Sequence, residues 1–340
     1  MKTIPVKDAI GKILAHDITR IVPGVEKGPA FKKGYCIGAQ DIQILLDIGK
    51  EQIYVLDIKP GSIHENEAAE RIARAAAGPG LRLTDPSEGR INLVSTTPGL
   101  LKIDIDALNR LNTIQDVSFA TIHSNHAVEA GVPVAGARVI PLVVQDDLVC
   151  AAEELCQACY PLIQVKPFLS LRVGMVTTGS EVYHGRIQDK FGPVVTKKFN
   201  QLGSAITRQI LVSDNIDMTV AAINDLIREG AQIVVLTGGM SVDPDDQTPA
   251  SIRATGADVV AYGVPVFPGA MFMLARLGDI PILGLPGCVM YYQTSIFDLI
   301  VPRILAGDKV TREDITRLGY GGFCMACADC RYPACSFGKI

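Results

Sequence analysis

Tryptophan is absent from this chain of 340 residues, and the aromatic residues together make up only 6%. So few flat side chains argue against a base-stacking surface. Positive charge is not in excess either: 32 Lys and Arg stand against 36 Asp and Glu, for a net charge of -4. No polybasic footprint is present, so nucleic acid is not an expected partner. Long apolar runs are missing as well. None reaches the roughly 18 residues of a membrane span, so no membrane partner is expected. The opening MKTIPVKDAIGKILAHD is polar throughout and holds no apolar signal core. Together these absences lead to the expectation of a cytoplasmic protein.

What is present is an ordinary globular balance, 48% hydrophobic and 20% charged. The length exceeds one average core and predicts two or three domains. Nine cysteines are many for a cytosolic chain. An odd number, unevenly clustered, points to metal or redox use rather than a disulfide framework.

Four segments follow from the patterning. Residues 1–58 form an α+β module, with helices over VKDAIGKIL and AQDIQILLDIG and a strand over QIYVLDI. Residues 59–165 form a β-rich module with a helix. HENEAAERIARAAAG is that helix, and INLVST, GLLKIDI, VSFATIHS and ARVIPLVV are strands. Residues 166–310 alternate strands with helices, from LRVGMVTTG through AITRQILV, AQIVVLTGG and IPILGLPG. CVMYYQTSIFDLIVPRIL reads as one long closing helix. That alternation implies an α/β domain with a mostly parallel sheet. Residues 311–340 form a short cysteine-rich tail.

Ligands of such sheets sit beyond the carboxyl ends of the strands. The loops Thr177–Glu181, Ser213–Asp214, Thr237–Thr248 and Pro286–Gly287 all follow predicted strands, so they converge on one edge. Gly179 frees the backbone amides of TTGSE, and Thr178 and Ser180 add hydroxyl donors suited to phosphate. Gly238, Gly239 and Ser241 of LTGGMS offer the same chemistry. The same loop carries Asp243, Asp245 and Asp246. Free carboxylates repel phosphate, so acids around an anion site imply a bridging cation. Mg²⁺ suits it, because it takes one or two carboxylates plus phosphate oxygens and water. Asp246 and Asp214 also stand just before predicted helices, where a carboxylate serves as a cap. Asp243 and Asp245 also read as solvated loop residues.

The string TGGMSVDPDDQTP, preceded by VTTGSEV and LVSDNIDMTVAAI and followed by LPG, resembles the molybdopterin-binding fold. That fold is shared by molybdopterin adenylyltransferases, molybdopterin molybdotransferases and the CinA family. The resemblance covers about residues 170–307, with four motifs in the family's order. It implies a doubly wound α/β domain whose ligand is a pterin dithiolene ending in phosphate or adenylate, assisted by Mg²⁺. It assigns Thr178, Gly179, Ser180, Glu181, Gly238, Gly239, Ser241, Thr248, Pro286 and Gly287 to the ligand. It gives Asp246 and Asp214 catalytic positions, and Asp243 and Asp246 to the metal. A homo-oligomer is the family's usual assembly. KDAIGKILAHDITRI is similar to the opening of the molybdotransferases.

The departures limit what carries over. Ala270 stands where the molybdotransferases place a lysine, and Cys288 and Val289 replace an Asn-Pro pair. Only Asp189 survives of an Asp-Ser-Asn segment, and the family's C-terminal β-barrel has no counterpart. The resemblance therefore implies a molybdopterin-binding protein of molybdenum cofactor biosynthesis that handles adenylated molybdopterin. Handling of adenylated molybdopterin or molybdate insertion by a molybdotransferase-like transferase is the best-matched activity, with ligand binding better supported than molybdate insertion. The alternatives are a non-enzymatic cofactor carrier, insertion chaperone or sensor, and a CinA-like nucleotide hydrolase.

Outside these motifs, Cys324, Cys327, Cys330 and Cys335 form C-x₂-C-x₂-C-x₄-C. Four such thiolates close a shell around Zn²⁺ or hold an iron–sulfur cluster, and spacing alone leaves both open. Cys156 and Cys159 share a helical face and read as core cysteines. Cys288 reads as a buried small residue, with a soft-ligand role as the alternative. His123 and His126 read as turn residues, and His64 as a solvated helix start.

Overall fold

Apolar side chains point to both faces of the strands between residues 172 and 285, so the sheet they form is covered on both sides. The computed structural model describes residues 2–22, 26–55, 60–87 and 89–339, without the side chains of residues 21, 22, 26 and 27. It divides into two compact units, residues 1–124 with 128–165, and residues 125–127 with 166–340.

The second unit is built on six strands: Arg172–Thr178 (β1), Ala205–Val212 (β2), Ile233–Thr237 (β3), Asp258–Tyr262 (β4), Met273–Leu277 (β5) and Ile280–Leu285 (β6). Their spatial order is β2-β1-β3-β6-β5-β4. The β2–β1, β1–β3 and β3–β6 pairs are parallel, and the β6–β5 and β5–β4 pairs antiparallel. Helices Phe191–Gln201 (α1), Ile216–Arg228 (α2), Thr248–Ala254 (α3) and Ile296–Leu305 (α4) cover it. The two-residue period of a strand sorts the side chains. Val173, Met175, Ile233, Val235, Leu283 and Leu285 meet Val195 and Phe199 of α1 and Phe297 and Ile300 of α4. Val176, Val234, Leu236 and Ile282 meet Ala222, Ile223 and Leu226 of α2 and Ile252 of α3. This is a doubly wound α/β domain with a mostly parallel sheet. The chain leaves β1 toward β2 and returns to β3 on its other side. A crevice therefore opens beyond the carboxyl ends of β1 and β3.

The first unit holds two apolar clusters. One, within residues 4–55, gathers Leu14, Ile18, Ile37, Leu45 and Ile53 around the antiparallel pair Lys2–Pro5 and Gln52–Val55. The other lies on a four-stranded antiparallel sheet ordered Leu81–Leu83, Arg90–Ser95, Pro133–Val139, Val117–Thr121. Helices Glu65–Ala76 and Asp146–Ala158 pack together beside it, tied by Arg71, which donates to Asp146 at 2.5 Å and to Glu153 at 2.6 and 2.9 Å. Cys156 is fully buried, and burial pushes its thiol up to about 12. Cys159 donates to Leu155 O at 2.8 Å.

Several local expectations give way. VKDAIGKIL contains only a 3₁₀ turn over Val6–Asp8, after which Ile13 and Leu14 form isolated bridges. The expected strand GLLKIDI stops at Ile103, because Asp104 accepts from Ala107 N at 2.9 Å and starts the helix Ile105–Leu111. Of QIYVLDI, Gln52–Val55 is strand; residues 56–58 and the expected boundary after them lie outside the described residues. The closing helix is two: Cys288–Tyr291 and α4, with a Ser295–Asp298 capping box between. His64 is not solvated. It is 3% exposed, and its ring caps Glu65–Ala76 by accepting from Asn66 N at 3.1 Å. Among the described residues, no helix is long and apolar enough to cross a membrane.

Candidate functional site

The site begins as a knot of threonines at the ends of β1 and β3. Thr177 Oγ1 and Thr237 Oγ1 lie 2.9 Å apart, and Gln209 Nε2 donates to Thr177 Oγ1 at 2.9 Å. One step outward, Thr178 Oγ1 and Thr248 Oγ1 lie 3.2 Å apart, and Thr248 Oγ1 donates to Gly238 O at 2.9 Å. All four threonines are buried. A buried hydroxyl without a partner is costly, so each is spent on its neighbours. Thr178 and Thr248, expected to touch ligand, thus lock β1, the glycine loop and α3 together.

Gly238 and Gly239 run directly over this knot, with φ of +85° and +56°. A Cβ on Gly238 would stand 2.1 Å from Thr178 O. Only glycine fits, both for its left-handed backbone and for the close approach.

Asp214 follows β2 and accepts from Ser180 N at 2.8 Å, while Ser180 Oγ and Ser213 Oγ lie 2.7 Å apart. Asp214 does not cap α2. Asn215 does, accepting from Met218 N at 2.9 Å. Asp246 likewise does not cap α3, whose N-cap position is Gln247. Its Oδ2 accepts from Asp243 N at 3.1 Å, and its own N donates to Asp243 O at 2.9 Å. The two acids close a tight turn that leaves Asp243 and Asp245 exposed and Asp246 half-buried. Asp189 caps α1, accepting from Phe191 N and Gly192 N.

A cavity of about 500 Å³ lies at this edge. Of the expected residues, Gly238, Gly239, Ser241, Asp246, Pro286 and Gly287 line it. Gly179, Ser180, Glu181, Asp214 and Asp243 are not in its wall. Phe191, Phe267 and Met271 are, and sequence reasoning missed them. The FPGAMFML segment was the available signal, since a Pro-Gly turn between strands at the same edge also delivers side chains there. Ala270 faces the cavity beside Cys288, whose thiol burial pushes up, so it stays protonated at neutral pH. The wall is therefore mostly backbone and apolar surface, with one carboxylate and one hydroxyl.

A cavity at the switch point of an open sheet lies where doubly wound domains place small-molecule ligands. Residues 174–306 match a family model described as "Probable molybdopterin binding domain". Residues 3–57 match a model described as a domain of unknown function. A CinA-like protein of Mycobacterium sp. (strain MCS) is 32% identical over 93 residues, 27% of this chain and 22% of that protein. A molybdopterin molybdenumtransferase of Bacillus subtilis (strain 168) is 24% identical over 163 residues, 43% of this chain and 38% of that protein. The chain thus spans well under half the length of these curated relatives. Among solved structures, the match to the molybdopterin biosynthesis enzyme MoaB from Thermus thermophilus covers 41% of this chain and 98% of that one, at 19% identity and a TM-score of 0.35.

Proposed function

We propose that the second unit binds a molybdopterin-type ligand, with its terminal phosphate or adenylate at the Gly238–Ser241 loop, in the service of molybdenum cofactor biosynthesis. The observation that carries this reading is the lining of the cavity. A glycine backbone with positive φ and a single half-buried carboxylate, Asp246, sit together in the domain matched by the family model. One carboxylate beside the Ser241 hydroxyl fits Mg²⁺, which takes few protein ligands and completes its shell with phosphate oxygens and water. Bound there, the metal would offset phosphate charge. Asp214 acts from behind, holding the Ser180 amide, so it is a positioning residue. Ala270 contributes no charge for a transferring anion, which favours binding and delivery of the pterin over molybdate insertion. Single-turnover mixing with adenylated molybdopterin, Mg²⁺ and molybdate tests this. A binder gives a stoichiometric complex and no AMP, whereas rapid AMP release makes the protein a transferase. Failure to bind any pterin sinks the reading altogether.

A second reading, a CinA-like nucleotide hydrolase, is favoured by the 32% identity to a CinA-like protein over 93 residues. Mg²⁺-dependent cleavage of ADP-ribose without pterin binding would establish it.

A further inference from the structure

The C-terminal segment is built into the second unit. Phe337 is 3% exposed and joins the apolar cluster that includes α1 and α4. Tyr332 donates its hydroxyl proton to Asp298 O at 3.1 Å, and Gly338 N donates to Gly321 O at 2.9 Å. A Cβ on Gly338 would stand 2.2 Å from Leu299 Cδ2, so the backbone lies directly against α4. Upstream, Phe267 N donates to Gly322 O and Cys324 N donates to Phe267 O, both at 2.8 Å. The cysteine run is thus pinned at both ends.

Between the pins, Cys324, Cys327, Cys330 and Cys335 all line one cavity of about 400 Å³. Ala326 has φ +49°, a left-handed conformation uncommon for a residue with a side chain, and it turns the chain between the first two thiols. The Thr294 hydroxyl lies 3.5 Å from Cys330 Sγ, and Arg331 lines the same wall. A zinc shell gathers its sulfurs about 2.3 Å from a single point. Among the described residues no three His, Cys, Asp or Glu side chains stand close enough to share one metal ion, so the four cysteines form no zinc shell; they line a chamber with room for several atoms. Three cysteines at two-residue intervals, followed by a fourth, also make the kind of run that wraps a cluster.

We propose that this chamber holds an iron–sulfur cluster ligated by Cys324, Cys327, Cys330 and Cys335. The Thr294 hydroxyl and the Arg331 guanidinium supply the hydrogen bonding and positive charge that a thiolate-ligated cluster attracts. The proposal does not rest on the pterin reading, although Phe267 both lines the other cavity and bonds the tail.

The test is anaerobic incubation of the full chain with ferrous iron, sulfide and a thiol reductant, with a parallel arm of Zn²⁺ alone. The expected result is equal uptake of iron and acid-labile sulfide, with visible absorption that bleaches on reduction. Cys327 and Cys330 are exposed, so the double variant Cys327→Ser/Cys330→Ser is expected to fold, by circular dichroism, and to lose at least about tenfold of the uptake. Cys36→Ser, a control at another exposed cysteine, is expected to keep it. Iron and sulfide uptake unchanged in the double variant would overturn the proposal. So would tight one-to-one zinc binding in a protein that takes up no sulfide. Because no pterin enters the experiment, its failure leaves the pterin reading untouched.

Discussion

The Asp214 carboxylate accepts a hydrogen bond from the Ser180 amide, 2.8 Å away and 34 residues earlier in the chain. One acid after β2 thereby fixes the loop after β1. Replacing it with Ala strands the amide at a half-buried position. Hydrogen bonds to charged groups contribute about 1.5–3 kcal/mol, and partial exposure reduces that. Asp214→Ala is expected to cost about 1 kcal/mol in urea unfolding while weakening ligand binding by at least about tenfold. Equal binding by variant and parent would mean that the loop after β1 plays no part.

Gly238→Ala combines a left-handed backbone with a contact at 2.1 Å from Thr178 O. It is expected to destabilise by about 3 kcal/mol, because overpacking adds to the backbone cost. Gly256 has φ +81°, but a Cβ there would meet nothing within 4 Å, so Gly256→Ala is expected to cost only about 1 kcal/mol. Thermal or urea melts of the two variants, side by side, separate crowding from backbone strain.

Asp246→Asn keeps an oxygen that accepts from Asp243 N and removes the charge. Stability is expected to stay within about 0.5 kcal/mol, while Mg²⁺-dependent ligand affinity falls by at least about tenfold. Calorimetric titration with and without Mg²⁺, beside a melting curve, reads both. If affinity and stability fall together, Asp246 is a structural residue of its turn.

His64 gives the first unit a pH dependence. Burial holds its pKa below the ordinary 6.5, and Nδ1 accepts from Asn66 N while Nε2 meets Ala15 O. The folded state needs the neutral ring, and the unfolded chain takes up the proton first. Stability is therefore complete above pH 6.5 and is lost as pH falls through the lowered folded value. Protection factors of the amides over Glu65–Ala76, which correct for the intrinsic slowing of exchange with acid, are expected to drop as pH falls below 6.5. His64→Asn retains a capping acceptor and is expected to flatten that response. An unchanged slope would remove His64 as its source.

The doubly wound sheet was legible because its physics is local. Near-continuous apolar runs in β1, β3 and β6 announce two covered faces, and glycines and acids after them mark one edge. The broken closing helix was legible in principle, since Ser295-x-x-Asp298 is a capping box, but the apolar run around it masked the signal. The helix at Ile105 has the same history, with Asp104 as the unread cap. His64 was beyond sequence reading because its burial depends on Ala15, 49 residues away. The inward turn of Thr178 and Thr248 depends on register between β1, β3 and α3, which no spacing reveals. The likeness to a ligand-binding motif was visible at the glycine pair, while the apolar wall of Phe191, Phe267 and Met271 comes from elements distant in sequence.

The threonine knot beneath the glycine loop separates two kinds of change. Its hydroxyls hold one another, so the floor of the cavity tolerates almost no substitution and presents only main chain to a visitor. Main chain recognises a phosphate without asking what is attached to it. Under the proposed function, discrimination among phosphate-bearing guests therefore falls to the side chains of the wall, such as Ala270, Met271 and Cys288.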